Sequence, residues 1–269
     1  MLYSFFGTLG KTPDQVTATE VFSFAHGVGL SGKQPGSVTI GARIACISSF
    51  YRFLIRMNLE ASNPCDRLER PKAVPARPRG LTASDIQKLL AVIPDTPVGL
   101  RDRAIILVLT LTGRRRTEVL NLKAGDLTQE RDTVYYSYRG KGNKAGKREL
   151  PQPAYWAIRA ALSAFGKDLV TMKPDESLWP SSSDSGKGIS SGTVYGNLRR
   201  YLQAAGLPLA GLHLFRHSAA KLRREAGQSV EEVGRFLDHS SLSVTSVYLR
   251  RLEGDRDTTW QQVAKSIGV

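Results

Sequence analysis

Apolar residues recur at helical spacing through much of the first 72 residues. The longest such stretch begins near Ser37 and continues to about Asn58. Its apolar side chains fall at Ile40, Ile44, Ile47, Phe50, Tyr51, Leu54, Ile55 and Leu59. This spacing places most of them on one face of a helix, for which Ser37 is the predicted cap. An earlier helix is expected to begin at Thr12-Pro13-Asp14, because proline is favoured in the first helical turn. We predict that residues 1–72 are helical throughout.

The segment PKAVPARPRG, residues 71–80, marks the clearest boundary in the chain. Its three prolines prevent a regular helix and predict a stiff, extended connector. Arg77 and Arg79 leave two interpretations open, contact with a phosphate backbone or a solvated tether. We therefore place a helical domain at 1–75, a linker at 76–80 and a second domain at 81–269.

The second domain is predicted to be mostly helical. Thr82 with Asp85, and Ser229 with Glu232, have the spacing of capping boxes, and Gly113 is expected to end a buried apolar helix. The predicted helices cover 82–93, 100–112, 114–122, 153–165, 190–206, 213–226, 229–237, 242–249 and 257–267. The last has one apolar face, which packs either on its own domain or on a neighbouring protomer.

One β-hairpin interrupts these helices. Thr133–Arg139 is rich in β-branched and aromatic residues, and Lys147–Leu150 is a short partner strand. The glycine-rich, basic segment GKGNKAGK connects them. The predicted fold class is mainly α: a helical N-terminal domain, followed by a mostly helical domain with a small antiparallel sheet.

The charge of the chain indicates a polyanionic partner. The formal net charge is +14 and the isoelectric point is about 10.0, which is too basic for a typical metabolic enzyme and favours nucleic acid. The first 75 residues contain eight basic and five acidic residues, against 30 and 19 in the remainder. The second domain is therefore expected to provide most of the electrostatic attraction for a polyanionic partner.

Cysteine usage and hydropathy predict a cytoplasmic protein. The two cysteines, Cys46 and Cys65, form no CxxC pair and lie near no histidine at metal-ligand spacing, so neither a disulfide framework nor a zinc site is expected. The first residues lack a basic region and a clear cleavage site. Because no stretch of 18 or more apolar residues occurs, we expect no membrane span.

Four residues near the C-terminus suggest chemistry on a phosphate: His213, Arg216, His239 and Tyr248. Residues three apart, such as His213 and Arg216, share one helix face. Cations neutralise a phosphate, imidazoles move protons, and a tyrosine hydroxyl can attack phosphorus. The arginine run 114–116 and the basic hairpin tip add further cations, and chemistry alone does not distinguish the three arginines of the run.

Together these segments resemble the tyrosine recombinase (phage integrase, Xer-like) family. TGRRRTEVLNL resembles its T-G-L-R-x-[ST]-E-L box, RGKGNKAGKRELP its G-K-G-x-K hairpin, HLFRHSAA its H-x-L-R-H-[ST] motif, and LDHSSLSVTSVY its L-G-H-S-S-x-x-x-T-x-x-Y motif. NPCDRLERPK resembles the Asn-Pro motif that closes the family's SAM-like core-binding domain. The resemblance identifies six site residues, in order: Arg115, Lys141, His213, Arg216, His239 and Tyr248.

The resemblance implies a two-domain clamp on duplex DNA and a role for each of these residues. Tyr248 is the nucleophile that forms a 3′-phosphotyrosine and releases a 5′-hydroxyl, while Arg115 and Arg216 hold the non-bridging oxygens. Lys141 protonates the leaving group, His213 is acid or base toward the tyrosine, and His239 hydrogen-bonds the phosphate. No ATP, other cofactor or metal is implied, because the guanidiniums supply the positive charge.

The resemblance also implies an assembly and a cellular context. A homotetramer on two recombination sites is expected, in the nucleoid of the cytoplasm, with accessory DNA-bending or directionality proteins as possible partners. Residues 1–10 correspond only to the end of the family's first core-binding helix, so an arm-type DNA-binding domain before residue 12 is not expected. The DNA site and the mobile or chromosomal element served are not identified by the sequence.

The chain departs from the family motifs at three positions. Arg114 stands where an apolar residue is usual, Asp238 replaces the glycine before His239, and Phe215 replaces a leucine. Asp238 would raise the pKa of His239 if the two were close. Two alternatives from other classes share much of this residue pattern: a type IB-like topoisomerase, and a catalytically silent architectural or regulatory DNA-binding protein.

Overall fold

A computed structural model describes residues 1–29, 32–60, 62–72, 80–140, 145–182 and 188–238. Contacts within the chain divide it into two compact units, 1–76 and 77–269. Part of the predicted 76–80 linker lies outside the described residues, and the domain bounds at 75 and 81 stay a prediction. Each unit is described here by itself.

The N-terminal unit contains α1 (Leu2–Leu9), α2 (Ala18–His26) and α3 (Ser37–Arg56). The prediction that residues 1–72 are helical throughout was wrong, because the described residues after α3, from 57 to 72, form turns and irregular backbone. Thr12-Pro13-Asp14 starts only a single 3₁₀ turn, and α2 begins after Thr17. The Thr17 hydroxyl accepts the Glu20 N–H at 3.3 Å, and the Glu20 carboxylate accepts the Thr17 N–H at 2.9 Å. This reciprocal capping box fixes the true helix start.

Helix α3 supplies most of the core of this unit. Ile44, Ile47 and Tyr51 are buried on one face, and the Tyr51 hydroxyl donates to the Pro13 carbonyl at 2.7 Å. Ser37 is the first helical residue rather than the predicted cap, a position that Gly36 takes without a side-chain hydrogen bond. By length and composition α3 could cross a membrane, with 22% of its apolar window buried. Composition alone therefore does not exclude a span, although the buried face is also what a core helix presents.

The second unit surrounds a buried central helix. Its helices are α4 (Ala83–Ala91), α5 (Pro97–Thr112), α6 (Arg116–Leu120), α7 (Gln152–Ala164), α8 (Ser191–Ala204), α9 (His213–Glu225) and α10 (Val230–Phe236). Helix α5 packs against α7 and α9, and several of its apolar side chains, including Ile105 and Leu109, are fully buried. The predicted capping boxes at Thr82 and Ser229 are both present. Phe215 is fully buried in this core.

A buried ion pair anchors α5 to α8. The Arg101 side chain donates to one Asp102 oxygen at 3.0 and 3.1 Å and to the Pro180 carbonyl at 2.7 Å. The other Asp102 oxygen accepts hydrogen bonds from Asn197 at 2.7 Å and Tyr201 at 3.0 Å. Because both side chains are almost fully buried, each charge is stabilised by the opposite charge and by these hydrogen bonds.

The sheet of the second unit contains β1 (Leu127–Glu130), β2 (Thr133–Arg139) and β3 (Ala145–Glu149), antiparallel in the order β1-β2-β3. Strand β2 has the predicted bounds, and β3 begins two residues earlier than predicted. In their register Tyr138 pairs with Gly146, and Tyr136 pairs with Arg148. Strand β1 was not predicted. The mainly α fold class, with a small antiparallel sheet, is confirmed.

Candidate active site

The turn between α5 and α6 requires glycine at position 113. Gly113 ends α5 in the left-handed conformation, with a φ of 61°. A Cβ atom at this position would lie 2.6 Å from the Phe236 ring and 2.9 Å from the Leu237 side chain. Glycine therefore allows both the turn and the close approach of the end of α10. This approach brings the arginine run beside the residues that precede His239.

Arg115 is held at the N-terminus of α6 by Glu118. Its backbone N–H donates to Glu118 Oε2 at 2.9 Å, and its Nη1 donates to Oε1 at 2.8 Å. Glu118 is buried, whereas 31% of the Arg115 side chain is exposed. The buried carboxylate therefore orients a guanidinium that remains accessible to a ligand.

Arg216 lies on α9 and connects two turns by hydrogen bonds to backbone. Its Nη1 donates to the Gly113 carbonyl at 2.7 Å, and its Nη2 donates to the Leu237 carbonyl at 2.5 Å. Burial, followed by the charges of Arg115 and Arg114, lowers the pKa of Arg216 to about 10. The guanidinium still carries its charge at neutral pH, in surroundings where positive charge is poorly compensated.

His213 occupies the first turn of α9, one turn before Arg216. Desolvation of the ring, and then the charges of Arg216, Arg115 and Arg116, lower the pKa of His213. His213 is therefore a neutral imidazole at pH 7, able to accept a proton.

His217, about one turn further along α9, contacts His213. The two rings meet edge to face, with 4.8 Å between their centroids. Burial, with smaller contributions from His213 and Arg216, lowers the pKa of His217 to about 4. A neutral ring packed against His213 fits the expected structural role, with the added effect of supporting the His213 imidazole.

Three of the six predicted site residues, Lys141, His239 and Tyr248, lie outside the described residues. Strand β2 ends at Arg139 and β3 begins at Ala145, so the two strands flank Lys141 in the sequence. Asp238, the residue before His239, is the last one described in the second unit. The structure thus brings Arg115, His213 and Arg216 together, while the placement of the other three stays a prediction.

The two notable departures from the family motifs contact each other. Asp238 accepts a hydrogen bond from Arg114 Nη1 in an ion pair. The same carboxylate accepts from the Tyr138 hydroxyl and, at 2.6 Å, from Arg148 Nη2. Burial alone would raise the pKa of Asp238, but the hydrogen bond from Tyr138 and the charge of Arg114 hold it below its ordinary value. Asp238 is therefore an anion shared by three donors.

Sequence reasoning missed the supporting role of Glu118, Tyr138 and Arg148. Glu118 was used only to align the arginine box, although a glutamate three residues after a helix start is a recognisable capping signal. Tyr138 and Arg148 are ordinary strand residues in sequence, and their side chains acquire a shared partner only when α10 folds against the sheet. No local signal identifies that contact.

This arrangement is suited to binding an anion whose negative charge grows during a reaction. The described part of the site presents two guanidiniums and a neutral imidazole, and the charges of neighbouring arginines contribute to lowering the pKa values of His213 and Arg216. A phosphate placed between them would relieve this repulsion, and it would be held most strongly where charge accumulates in the transition state. Among the described residues, no group of three or more His, Cys, Asp or Glu side chains is arranged to hold a metal ion.

Comparison with known proteins gives consistent relatives. The sequence model of the phage integrase family matches residues 79–254. Tyrosine recombinase XerC of Herpetosiphon aurantiacus is 29% identical over 240 residues, which cover 88% of this chain and 76% of that protein. Tyrosine recombinase XerD of Lacticaseibacillus casei is 31% identical over 220 residues, which cover 80% and 72%.

Solved structures show the same fold. The XerH site-specific recombinase bound to a palindromic difH substrate in a post-cleavage complex has a TM-score of 0.68 at 20% identity, covering 100% of this chain and 76% of that one. A lambda integrase dimer bound to a COC′ core site has a TM-score of 0.67 at 18% identity, covering 96% and 90%. The extent of the family match, together with the relative that is 31% identical, establishes the assignment: this chain belongs to the phage integrase family of tyrosine recombinases.

Proposed function

We propose that this chain is a site-specific DNA recombinase that cleaves and rejoins duplex DNA through a 3′-phosphotyrosine. The observation that carries the proposal is the cluster of Arg115, His213 and Arg216, in which the charges of neighbouring arginines contribute to lowering the pKa values of His213 and Arg216. The net charge of +14 supports a DNA partner. The XerH and lambda integrase structures of the same fold contain DNA substrates or sites.

In the proposed reaction the Tyr248 oxygen attacks the scissile phosphorus as the bond from phosphorus to the 5′-oxygen breaks. The tyrosine loses its proton, the leaving 5′-oxygen gains one, and the DNA keeps a 3′-phosphate linked to the protein. Arg115 and Arg216 bind the non-bridging oxygens, whose charge rises in the transition state. Reversal with a different 5′-hydroxyl joins new partners, and the phosphotyrosine conserves the bond energy, so no ATP is consumed.

The proton transfers are assigned to the remaining site residues. Lys141 is proposed as the acid for the 5′-oxygen, since an ammonium held against the phosphate can donate to a leaving alkoxide. His213, neutral at pH 7, accepts the tyrosine proton and returns it in the reverse step. His239 is proposed to hydrogen-bond the phosphate.

The proposed assembly is a homotetramer on two duplex sites, in the nucleoid of the cytoplasm, with accessory DNA-bending or directionality proteins as additional partners. Both units are proposed to contact the duplex. The helices predicted at 242–249 and 257–267 lie outside the described residues, and the packing of the second one in cis or on a neighbouring protomer stays a prediction. Sedimentation of the protein with one and with two equivalents of site DNA tests the tetramer, because exchange between two sites requires four active subunits.

The first experiment identifies the DNA and the nucleophile together. The protein is incubated with nicked duplexes whose randomised centre spans about three helical turns, on the order of 30 base pairs. Adducts that resist SDS are recovered and sequenced, which yields a selected duplex for later tests. Tyr248→Phe is expected to bind that duplex with unchanged affinity and to form no adduct. An SDS-resistant adduct with Tyr248→Phe would show that the nucleophile is assigned wrongly.

Two further measurements separate the proposal from its alternatives. Exchange of strands between two differently labelled copies of the selected duplex is expected of a recombinase, whereas a topoisomerase only relaxes supercoiled DNA. A Lys141→Ala variant should cleave slowly, and a substrate with sulfur in place of the bridging 5′-oxygen should restore its rate, because a thiolate leaves without an acid. Equal slowing on both substrates would contradict the role assigned to Lys141.

A further inference from the structure

We propose that Arg114 and Asp238 act as a matched pair of positioning residues that hold the Arg216 guanidinium, and the chain that enters His239, in their catalytic geometry. The inference rests on the proposed function, because it concerns how this chain prepares its phosphate site. It is carried by the contacts of four side chains, Arg114, Asp238, Tyr138 and Arg148, which we call the clamp network.

Arg114 is a buried cation whose donors link the end of α5 to the end of α10. Only 1% of the residue is exposed. Its Nη1 donates to Asp238, its Nη2 donates to the Phe236 carbonyl, and its Nε donates to the Thr112 carbonyl at 3.3 Å. The guanidinium also lies 4.7 Å from the centroid of the Tyr138 ring. A planar fork with several donors suits this geometry, and a lysine could not satisfy all of it.

Asp238 adopts a left-handed backbone conformation that costs a non-glycine residue conformational free energy. Its φ is 51°, in the left-handed region that favours glycine and, after it, asparagine and aspartate. The carboxylate receives donors from Arg114, Tyr138 and Arg148. A glycine would relieve the backbone but would remove all three of these bonds. The side chain is therefore retained at a conformational cost, which the clamp network offsets.

The clamp network grips the same two turns that hold Arg216. Arg114 follows Gly113, whose carbonyl accepts Arg216 Nη1, and Asp238 follows Leu237, whose carbonyl accepts Arg216 Nη2. The ion pair between Arg114 and Asp238 thus fixes the separation of the two carbonyls. Each of these two Arg216 nitrogens carries two N–H groups. When one N–H of a nitrogen donates to a backbone carbonyl, the planar guanidinium fixes the direction of its second N–H. The pair therefore positions the guanidinium without touching the phosphate.

The same network connects this region to strands β2 and β3, which flank Lys141 in the sequence. Tyr138 lies on β2 and Arg148 on β3, and both contact Asp238. Arg148 Nη2 also donates to the Arg235 carbonyl at 2.9 Å. At Gly146 a Cβ atom would lie 2.5 Å from the Tyr138 ring, so the ring packs directly on the opposite strand. Asp238 therefore joins the segments that lead to Arg115, Lys141 and His239.

The two residues depart from the family motifs at positions 124 apart in sequence and in direct contact in the fold. The motifs have an apolar residue in place of Arg114 and glycine in place of Asp238. Changing only one position leaves either a buried cation without its carboxylate or a strained aspartate without its main anchor. Changing both produces an apolar contact and an unstrained turn. Replacing the two residues singly and together therefore tests whether they act as a pair.

The experiment compares Arg114→Leu, Asp238→Gly and the double variant on the selected duplex. Adduct formation is measured in a single turnover at saturating protein, and DNA affinity and the urea midpoint are measured alongside. Each single variant is expected to form adduct about 10- to 100-fold more slowly with unchanged affinity, because small misplacement of a catalytic group has effects of this size. The double variant is expected to recover to within about threefold of the wild-type rate, reflecting coupling between contacting residues.

Controls keep the outcome informative. Glu176→Gln removes a carboxylate that pairs with Lys167 at 2.7 Å on the surface of the same unit, and it should leave the rate unchanged. If Asp238→Gly does not fold, Asp238→Asn replaces it, since asparagine tolerates the left-handed conformation but cannot form the ion pair. Wild-type rates in both single variants, or a double variant as slow as the slower single one, would overturn the inference. Failure of the wild-type protein to form any adduct would instead overturn the proposed function.

Discussion

Glu118 accepts hydrogen bonds from both the backbone N–H and the Nη1 of Arg115, at 2.9 and 2.8 Å. One buried carboxylate therefore both caps helix α6 and orients a guanidinium proposed to bind phosphate. The two tasks can be separated, because a neutral amide can still accept a hydrogen bond at a helix N-terminus while forming no ion pair.

Glu118→Gln is accordingly expected to fold and to bind the selected duplex normally, but to form the covalent adduct about 10- to 100-fold more slowly, because Arg115 loses its charged anchor. The matched control is Asp85→Asn, which makes the same change from acid to amide in the capping box of α4. Single-turnover adduct formation measures both variants. Equal rates for Glu118→Gln and Asp85→Asn would contradict the orienting role.

Arg216→Lys tests whether the shape of the guanidinium matters beyond its charge. A lysine ammonium cannot donate to the Gly113 and Leu237 carbonyls and, in the same planar arrangement, to a phosphate. We expect the cleavage rate to fall by about 100- to 1000-fold, the range for losing a donor that stabilises transition-state charge. DNA affinity should change little, since the positive charge is kept.

The control for Arg216→Lys is Arg159→Lys on α7, where the guanidinium lies 5.4 Å from the centroid of the Trp156 ring. This variant should cleave at the wild-type rate. A rate for Arg216→Lys within threefold of the wild-type rate would mean that charge alone is sufficient at this position.

The buried ion pair of Arg101 and Asp102 gives a prediction about stability. Asp102→Asn leaves the Arg101 guanidinium buried without a counter-ion, and removing one partner of such a pair costs about 3–5 kcal/mol. Tyr201→Phe removes one hydrogen bond from the same carboxylate and should cost about 0.5–1.5 kcal/mol. Urea unfolding followed by tryptophan fluorescence measures both, because all three tryptophans, Trp156, Trp179 and Trp260, lie in the second unit. Similar losses for the two variants would contradict the importance of the ion pair.

Local sequence signals predicted the parts of the fold that local interactions determine. The bounds of α9, the bounds of β2 and the capping boxes at Thr82 and Ser229 depend on residues within a few positions of one another. Strand β1 was missed because its sequence, LTQE, is polar and mostly exposed. It is a strand because β2 pairs with it, and no apolar alternation marks that pairing in advance.

The candidate site also combines features that local sequence signals predict with contacts that they do not predict. Arg115, His213 and Arg216 were identified from motifs, and the structure brings them together, but the contacts that hold them span long sequence distances. Arg114 meets Asp238 across 124 positions, and Arg216 reaches Gly113 across 103. Such pairs form only when the end of α10 packs against the turn after α5. Sequence alone marked Arg114 and Asp238 as unusual without showing that each explains the other.

The pKa of His217, lowered to about 4 mainly by burial, makes the stability of the second unit depend on pH. An unfolded histidine titrates near 6.5, so between about pH 6.5 and pH 4 the unfolded chain binds a proton that the folded chain does not. The stabilisation is fully present above pH 6.5 and is lost as the pH falls toward 4. His213, with its lowered pKa, acts in the same direction. The slope for one proton is at most about 1.4 kcal/mol per pH unit, and the total loss is smaller than a fully buried imidazole would give, because His217 keeps part of its surface in water.

Wild-type protein is therefore expected to lose stability between about pH 7 and pH 5, a range above the titration of the carboxylates, and His217→Gln should lose less. Urea midpoints from tryptophan fluorescence report this difference for the second unit. His26→Gln, which removes an imidazole from the N-terminal unit, is the control and should retain the wild-type dependence. If His217→Gln and the wild-type protein lose stability equally over this range, the His217 ring is protonated in the folded protein as readily as in the unfolded chain, and its support of a neutral His213 would be excluded.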